Sequence, residues 1–258
     1  MLVIFSDLDG TLLDRETYSY AAALPALELV RAAGVPLVLS TSKTRAEVEP
    51  LLADLGFRHP YLAENGALAV IPASYFHPHR TQRVVRFGCR YESNVAALRR
   101  ASRTSGVAAR GFAEMTAAEV AELTGLPPDA AERARRRDHD EPFVIPDGEP
   151  AQRLLTAIEA LGKRWTRGGR FFHLTGPIDK GAAARYLIER YCERHGEVTT
   201  VALGDAPNDL PLLRACHRAI VVRSEHAQLI LRQLPTAEVT ALDGPAGWNQ
   251  AVLGLLTP

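Results

Sequence analysis

The chain has few cysteines, no long apolar segment and no excess of charge of either sign. Three cysteines lie far apart at positions 89, 192 and 216, without a CxxC pair, which argues against a disulfide-stabilised scaffold or a zinc site. No apolar run approaches the roughly 18 residues that a membrane span needs. The first ten residues, MLVIFSDLDG, lack the basic segment and small-residue cleavage site of a signal peptide. The sequence therefore predicts a cytoplasmic protein with no membrane partner.

Basic and acidic residues are balanced at thirty each, which gives a net charge of zero and a pI of about 7.1. Such a chain has no global positive field to attract nucleic acid, so no nucleic-acid partner is expected. Any anion must instead bind in a local pocket. Only three of the basic residues are lysines, Lys43, Lys163 and Lys180, so the position of each lysine is informative.

The order of predicted elements indicates an α/β core interrupted by a second unit. The first 65 of the 258 residues alternate between short apolar runs and helical patterns, which is typical of a parallel sheet. From residue 83 to residue 174, strands and helices mix without this alternation, with a hairpin predicted around Gly168-Gly169, and the earlier pattern returns after Gly176-Pro177. We expect a Rossmann-like parallel-sheet core formed by residues 1–82 and 175–258, with an inserted α+β domain at 83–174.

Polar clusters follow four of the predicted core strands. In an open parallel sheet, ligands bind at the carboxyl ends of the strands, so these clusters are candidate site residues. Carboxylates about 4 Å apart repel each other by roughly 4 kcal/mol at an effective dielectric near 20, and this repulsion requires a cation or a shared proton. Oxygen ligands favour Mg²⁺. The clusters are Asp7/Asp9, Ser40/Thr41, Glu64/Asn65 and Asp205/Asn208/Asp209.

The same residues have the properties that phosphoryl transfer needs. A cation and a lysine neutralise the phosphate oxygens, and a carboxylate acts as the nucleophile. Asp7 and Asp9 are two residues apart on an extended segment, so they lie on one side in different environments. One of them stays ionised to attack, and the other holds a proton for the leaving group.

Four motifs in this order resemble those of the haloacid dehalogenase-like superfamily of phosphohydrolases: Asp7-Leu8-Asp9-Gly10-Thr11, Thr41, Lys180 and Gly204-Asp205-Ala206-Pro207-Asn208-Asp209. The resemblance implies that Asp7 is the nucleophile and Asp9 the general acid and base. It implies that Thr41 and Lys180 hold the phosphate. Mg²⁺ would be bound by Asp7, the carbonyl group of Asp9 and Asp205. The inserted domain would be the large cap of this superfamily, an α+β lid over the site.

A narrower resemblance is to the mannosyl-3-phosphoglycerate phosphatase branch of that superfamily. Its motifs here are Ser40 to Arg45, Glu64-Asn65-Gly66, Glu141-Pro142-Phe143 and Gly169 to Gly176. This implies a phosphorylated glycoside substrate, mannosyl-3-phosphoglycerate, which is cleaved to mannosylglycerate and phosphate. The candidate substrate-binding residues are Ser42, Lys43, Arg45, Glu64, Asn65, Arg170, His173 and Asn208.

Several alternatives stay open at this point. Another sugar-phosphate or cofactor phosphatase, a sugar phosphomutase and a non-catalytic ligand-sensing domain share the motifs to different degrees. Asp209 either takes part in the site or caps the next helix. The arginines at 133 and 135–137 are expected to form a solvated face, and His77 and His79 alone make a poor metal site. A homodimer is compatible with the sequence.

Overall fold

The computed structural model describes residues 1–78, 80–168 and 170–257. His79 and Gly169, the second glycine of a predicted hairpin turn, lie outside the described residues. The strands are β1 (Leu2–Ser6), β2 (Leu37–Ser40), β3 (Tyr61–Ala63), β4 (Leu68–Ile71), β5 (Arg83–Arg86), β6 (Arg110–Gly111), β7 (Glu141–Val144), β8 (Arg164–Arg167), β9 (Phe172–Thr175), β10 (Thr199–Gly204), β11 (Arg218–Arg223) and β12 (Glu238–Asp243). The helices are α1 (Leu24–Ala32), α2 (Arg45–Asp54), α3 (Tyr91–Ser105), α4 (Ala117–Thr124), α5 (Pro128–Arg135), α6 (Ala151–Ala160), α7 (Lys180–His195), α8 (Leu210–Ala215), α9 (Ala227–Gln233) and α10 (Gly244–Leu256).

The larger sheet has the order β12-β11-β10-β1-β2-β3-β4-β5. Neighbouring strands from β12 to β3 are parallel, as the sequence predicts, and β4 and β5 are added in antiparallel pairs. The chain builds the sheet outward from β1 in one direction and returns through β10 on its other side. The end of β1 is therefore a topological switch point, where α/β proteins bind their ligands.

The central strands β1, β2, β3 and β10 are buried on both faces, which explains their continuous apolar sequences. In β1, Ile4 packs in the cluster that includes Trp248 of α10, whereas Val3 and Phe5 pack on the opposite face with Leu187 of α7. This alternation is the two-residue period of a strand. It fixes the end of β1 between two helical layers, and the residues that follow it are held rigidly.

The smaller sheet is antiparallel, with the order β6-β7-β9-β8. Phe143 and Leu174 pack on one face against apolar residues of α3 and α6. Pro142 and His173 are paired in the register of β7 and β9, and both line the cleft toward the larger sheet. The predicted hairpin of β8 and β9 is confirmed. We call residues 87–175 the inserted module below.

The predicted start of the inserted domain at residue 83 is one strand too early. Residues Arg83–Arg86 pair with β4 and so extend the larger sheet. Their alternating pattern fits an edge strand in either sheet, so the sequence alone does not assign them. Within the described residues, no helix combines the length and apolar character that crossing a bilayer requires.

Candidate active site

Two neighbouring parallel strands bring the first carboxylates together. Asp7 follows β1 and Asp205 follows β10, and Ser6 is in register with Leu203. The amide of Asp7 donates to the carbonyl oxygen of Leu203 at 2.9 Å, which continues the ladder to the end of the strand. Carboxylate oxygens of Asp7, Asp205 and Asp209 all lie within 4.8 Å of one another. The predicted convergence of two strand ends is therefore present in the structure.

Lys180 lies at the centre of this acidic cluster as the first residue of α7. Its Nζ donates to Oδ1 of Asp7 and to Oδ1 of Asp209, each at 2.6 Å, and the residue is 1% exposed. Burial lowers the pKa of Lys180, but the two carboxylates outweigh burial and raise it above the usual value. The lysine therefore stays charged and supplies a fixed positive charge beside Asp7.

Burial and neighbouring carboxylates together raise the pKa values of two acids in the cluster. Burial and the charge of Asp209 hold the pKa of Asp7 well above its usual range, although Lys180 opposes them. Burial and Asp209 also raise the pKa of Asp205 to about 6, against the lowering effect of Arg15. A cation near Asp7 and Asp205 would relieve this repulsion.

The donor atoms available fit Mg²⁺, a hard cation that takes oxygen ligands. Both carboxylate oxygens of Asp209 are engaged: Oδ1 accepts from Lys180, and Oδ2 accepts from the amides of Asp205 and Ala206 at 3.1 Å. Asp209 therefore holds the loop and the lysine in place. Asp7 keeps one carboxylate oxygen outside its bond to Lys180, whereas the oxygens of Asp205 accept from Thr11 and Arg15 and would bind a metal in competition with these donors.

Gly10 is required by the approach of the Asp205 side chain to the backbone. Its φ is +83°, and a Cβ there would lie 2.7 Å from Oδ2 of Asp205. The neighbouring Thr11 donates its hydroxyl to Oδ1 of Asp205 at 3.0 Å. Gly10 and Thr11 of the first motif thus hold the side chain of Asp205: the glycine leaves room for it, and the threonine donates a hydrogen bond to it.

Asp9 has a different environment from Asp7. Its side chain is 35% exposed and faces the cleft, and its Oδ1 lies 3.0 Å from Nζ of Lys43. The carboxylates of Asp9 and Glu47 outweigh the effect of burial on Lys43 and raise its pKa. Of the two aspartates of the first motif, Asp7 is therefore buried and Asp9 is accessible from the cleft.

Thr41 is buried at the end of β2, and its hydroxyl accepts the amide of Lys43 at 3.1 Å. This bond turns the chain so that Ser42 and Lys43 reach the cleft, where the ring of Tyr18 lies 4.7 Å from Nζ of Lys43. The role of Thr41 in phosphate binding stays a prediction.

A cleft of about 830 Å³ separates the core from the inserted module. The module contributes cationic groups and aromatic rings to its lining. Among these, Arg170 donates to the carbonyl oxygen of Arg15 at 3.2 Å, across the mouth of the cleft. The residues named here from its lining are Asp7, Asp9, Arg15, Tyr18, Ser42, Lys43, Asp205 and Asn208 of the core and Phe112, Arg137, Pro142, Arg170, Phe171 and His173 of the module.

Three of the candidate substrate-binding residues lie behind the cleft rather than in its lining. Arg45 pairs with Glu49 at 3.3 Å along α2. Glu64 is 1% exposed, and its carboxylate accepts backbone amides of residues 138–140. Asn65 donates to Oδ2 of Asp140 at 2.7 Å. Glu64 and Asn65 thus attach the module to the core, and substrate contact by these three residues stays a prediction.

Arg137 is a functional residue that was missed, because the sequence predicts a solvated basic face at this position. Arg133 and Arg135 do form surface pairs with Asp129 and Glu132. The side chain of Arg137, by contrast, is 5% exposed, lines the cleft and donates to the carbonyl oxygen of Ser42 at 3.1 Å. It lies in the segment between the end of α5 at Arg135 and the start of β7 at Glu141, where the residue types alone do not separate a buried arginine from an exposed one.

Arg15, Tyr18 and Asp140 were missed as well. Arg15 donates to Oδ2 of Asp205 at 2.6 Å, and Asp140 is fully buried beside His173. Tyr18 has a φ of 57° in the loop after the first motif. None of these residues directly follows a strand of the parallel sheet. The expectation that ligands bind at the carboxyl ends of such strands therefore does not identify them.

Comparison with known proteins agrees with this geometry. The sequence profile of the haloacid dehalogenase-like hydrolases matches residues 4–99. A glucosyl-3-phosphoglycerate/mannosyl-3-phosphoglycerate phosphatase of Methanococcoides burtonii is 38% identical over 98% of this chain and 97% of its own length. A phosphatase of the same name from Persephonella marina is 37% identical over 99% and 97%.

Solved structures with low sequence identity share the fold. A sugar phosphatase of subclass IIB of the same superfamily matches with a TM-score of 0.70 at 18% identity, over 99% of both chains. The sucrose-phosphatase of Synechocystis matches with a TM-score of 0.65 at 14% identity, over 98% of this chain and 97% of its own. With near-full-length relatives at more than a third identity, the chain belongs to the haloacid dehalogenase-like hydrolases and is a phosphoric monoester hydrolase.

Proposed function

We propose that the protein removes phosphate from mannosyl-3-phosphoglycerate, with glucosyl-3-phosphoglycerate as a second substrate, and that it requires Mg²⁺. The contact that carries the chemistry is that of Lys180 with Asp7, at 2.6 Å in a buried site at the end of β1. The names of the near-full-length relatives support the substrate class. A phosphate, a carboxylate and a glycosyl group on one substrate also match a cleft that has several separate cationic groups.

Catalysis divides between the two aspartates of the first motif. A carboxylate oxygen of Asp7 attacks phosphorus, the bond from phosphorus to the glycerate oxygen breaks, and Asp9 gives that oxygen its proton. Asp9 then accepts a proton from water as the water attacks the aspartyl-phosphate. The bond between phosphorus and Asp7 breaks, which releases phosphate and regenerates the Asp7 carboxylate.

Positive charge around phosphorus is what lowers the barrier in this mechanism. Lys180 holds Asp7 in place and neutralises phosphoryl oxygens without any rearrangement at the moment of reaction. Asp7 and Asp205, with the carbonyl group of Asp9, would hold Mg²⁺, which supplies further charge that keeps Asp7 ionised and stabilises the phosphoryl oxygens. The inserted module covers the cleft and excludes bulk water from the aspartyl-phosphate.

Phosphate release from the two glycosyl-3-phosphoglycerates and from a panel of sugar phosphates tests the proposal. We expect the glycosyl-3-phosphoglycerates to give the highest kcat/KM, with activity lost in a chelator and restored by Mg²⁺. Release of phosphate without a bisphosphate activator distinguishes hydrolysis from a phosphomutase reaction. Full activity after chelation would refute the metal requirement, and a higher kcat/KM for a sugar phosphate without a carboxylate would refute the proposed substrate.

A further inference from the structure

Asp140 is a buried carboxylate on the module side of the cleft, outside the catalytic centre described above. It directly precedes β7 and has no exposed surface. Its oxygens lie 2.9 and 3.1 Å from Nδ1 of His173, and Oδ2 also accepts from Asn65 at 2.7 Å. Arg137 adds a charge at 3.4 Å. These contacts fix the orientation of the Asp140 carboxylate and of the His173 ring beside it.

The groups around Asp140 favour its ionised form. Burial raises the pKa of Asp140, but His173, Arg137 and Asn65 outweigh burial and bring it below the usual value. A carboxylate only accepts hydrogen bonds, so Nδ1 of His173 must be the donor. The carboxylate therefore fixes which ring nitrogen carries a proton.

The other ring nitrogen of His173 is on the cleft side. A Cβ at Gly168 would lie 3.3 Å from Nε2, and both Gly168 and His173 line the cleft. Because β9 alternates, Phe172 and Leu174 face the module's interior while His173 faces the opening. Nε2 is thus the ring atom that a bound molecule can reach.

A line of side chains connects this histidine to the catalytic loop of the core. Asn208, which follows Asp205 in that loop, donates to Oδ1 of Asn65 at 3.4 Å, and Asn65 donates to Asp140. The position of the ring therefore depends on contacts with both walls of the cleft.

We propose that Asp140 is a positioning residue, which holds His173 so that Nε2 hydrogen-bonds a hydroxyl group on the part of the substrate that is not transferred. A hydroxyl group both donates and accepts, so it pairs with Nε2 whether or not that nitrogen carries a proton. This inference rests on the proposed function for its substrate. It separates recognition of the glycosyl-glycerate part from the phosphate chemistry at Asp7.

The kinetic test uses two substrates, mannosyl-3-phosphoglycerate and p-nitrophenyl phosphate, which shares only the phosphate. Asp140→Asn should lower kcat/KM for the glycoside by about tenfold, mainly through KM, as is usual when a buried partner of a binding group is removed. The kcat/KM for p-nitrophenyl phosphate should change by less than about twofold. Equal losses on both substrates would overturn the inference.

A double-mutant cycle shows whether Asp140 acts through the histidine. His173→Asn retains a polar group near Nδ1 and removes Nε2, so it should reproduce the loss on the glycoside. Adding Asp140→Asn to it should cause no further loss. Additive losses would mean that the two residues act separately, which contradicts the proposal.

Glu141→Gln is the matched control, because Glu141 is the adjacent buried carboxylate and accepts the amide of Ala113 instead of contacting His173. It should leave both kcat/KM values unchanged. A loss on the glycoside equal to that of Asp140→Asn would show a general effect of altering β7.

NMR of ¹⁵N-histidine-labelled wild-type protein tests the ring without any substrate. At pH 8.5 the ring assigned through His173→Asn should carry its proton on Nδ1; a proton on Nε2 overturns the proposal. Wild-type protein that hydrolyses neither substrate would refute the proposed function, whereas an active enzyme with an Nε2 proton would refute only the role of Asp140.

Discussion

The two walls of the cleft have different compositions. The core wall carries buried carboxylates within 4.8 Å of one another, with Lys180 among them. The module wall carries cationic groups and aromatic rings, such as Arg170 and Phe171. A wall of tightly fixed charges suits a reaction common to all phosphomonoesters. A wall of separate donors and rings suits recognition of one substrate among them.

The largest effect is expected from Asp7→Asn, on the core wall. Without the nucleophile, phosphate release should fall about a thousandfold or more on every substrate. The side chain keeps its size, and Asp209 still pairs with Lys180, so the circular dichroism spectrum should not change. Near-normal turnover would show that the core wall is not the reaction centre.

Asp14→Asn is the matched control for that substitution. Asp14 lies in the same loop, but its carboxylate accepts only from Glu16 and Thr17 in its own turn. An amide oxygen can accept the same bonds, so activity should stay within about twofold of wild type.

A smaller and more selective effect is expected from Arg170→Ala, on the module wall. The guanidinium lines the cleft near its mouth, so kcat/KM for mannosyl-3-phosphoglycerate should fall by about tenfold. The kcat/KM for p-nitrophenyl phosphate should stay within about threefold of the wild-type value. Arg133→Ala is the control, because Arg133 pairs with Asp129 on the surface of the module outside the cleft lining. Equal losses on the two substrates for Arg170→Ala would abolish the distinction between the walls.

A still smaller effect, of opposite sign, is expected from Arg15→Ala. Arg15 binds Oδ2 of Asp205, one of the oxygens offered to Mg²⁺, and it is one-third exposed. Removing this competing cation should tighten Mg²⁺ binding by about two- to fivefold, as measured by titration calorimetry. Glu225→Gln removes only the second partner of Arg15, so it should not tighten binding. Weaker binding after Arg15→Ala would show that the arginine supports the metal site.

The core wall could be predicted from the sequence because parallel strands end at one edge of the sheet. Asp7 and Asp205 each follow an apolar run, and that local pattern places them together. The position of Lys180 came from the order of the motifs, supported by the scarcity of lysine. Glu64 and Asn65 also follow a strand, but their φ values of 51° and 57° direct the chain toward the module. A left-handed turn of this kind is not visible in the residue types alone.

The module wall could not be predicted in the same way. The roles of Arg137 and Asp140 depend on which side of the antiparallel sheet faces the core, and neither residue stands in a local pattern that differs from a solvated surface. An alternating strand such as Arg83–Arg86 fits the edge of either sheet, so its assignment also depends on long-range pairing.

The last expected effect concerns stability rather than activity, and it compares two adjacent carboxylates of the module. Burial raises the pKa of Glu141 to about 7, against hydrogen bonds that lower it. The unfolded chain therefore releases this proton first, and stability falls as the pH rises from about 4.5 to 7, by at most about 3 kcal/mol. Glu141→Gln should remove this fall. The melting temperature of the variant minus that of wild type should therefore increase as the pH rises from about 4.5 to 7. Asp140→Asn should differ from wild type in the opposite direction and at lower pH, because a lowered pKa gives stability that is fully present above the unfolded value of about 4 and is lost as the pH falls below it. Parallel curves of melting temperature against pH for all three proteins would contradict the assignment of opposite environments to these two neighbours.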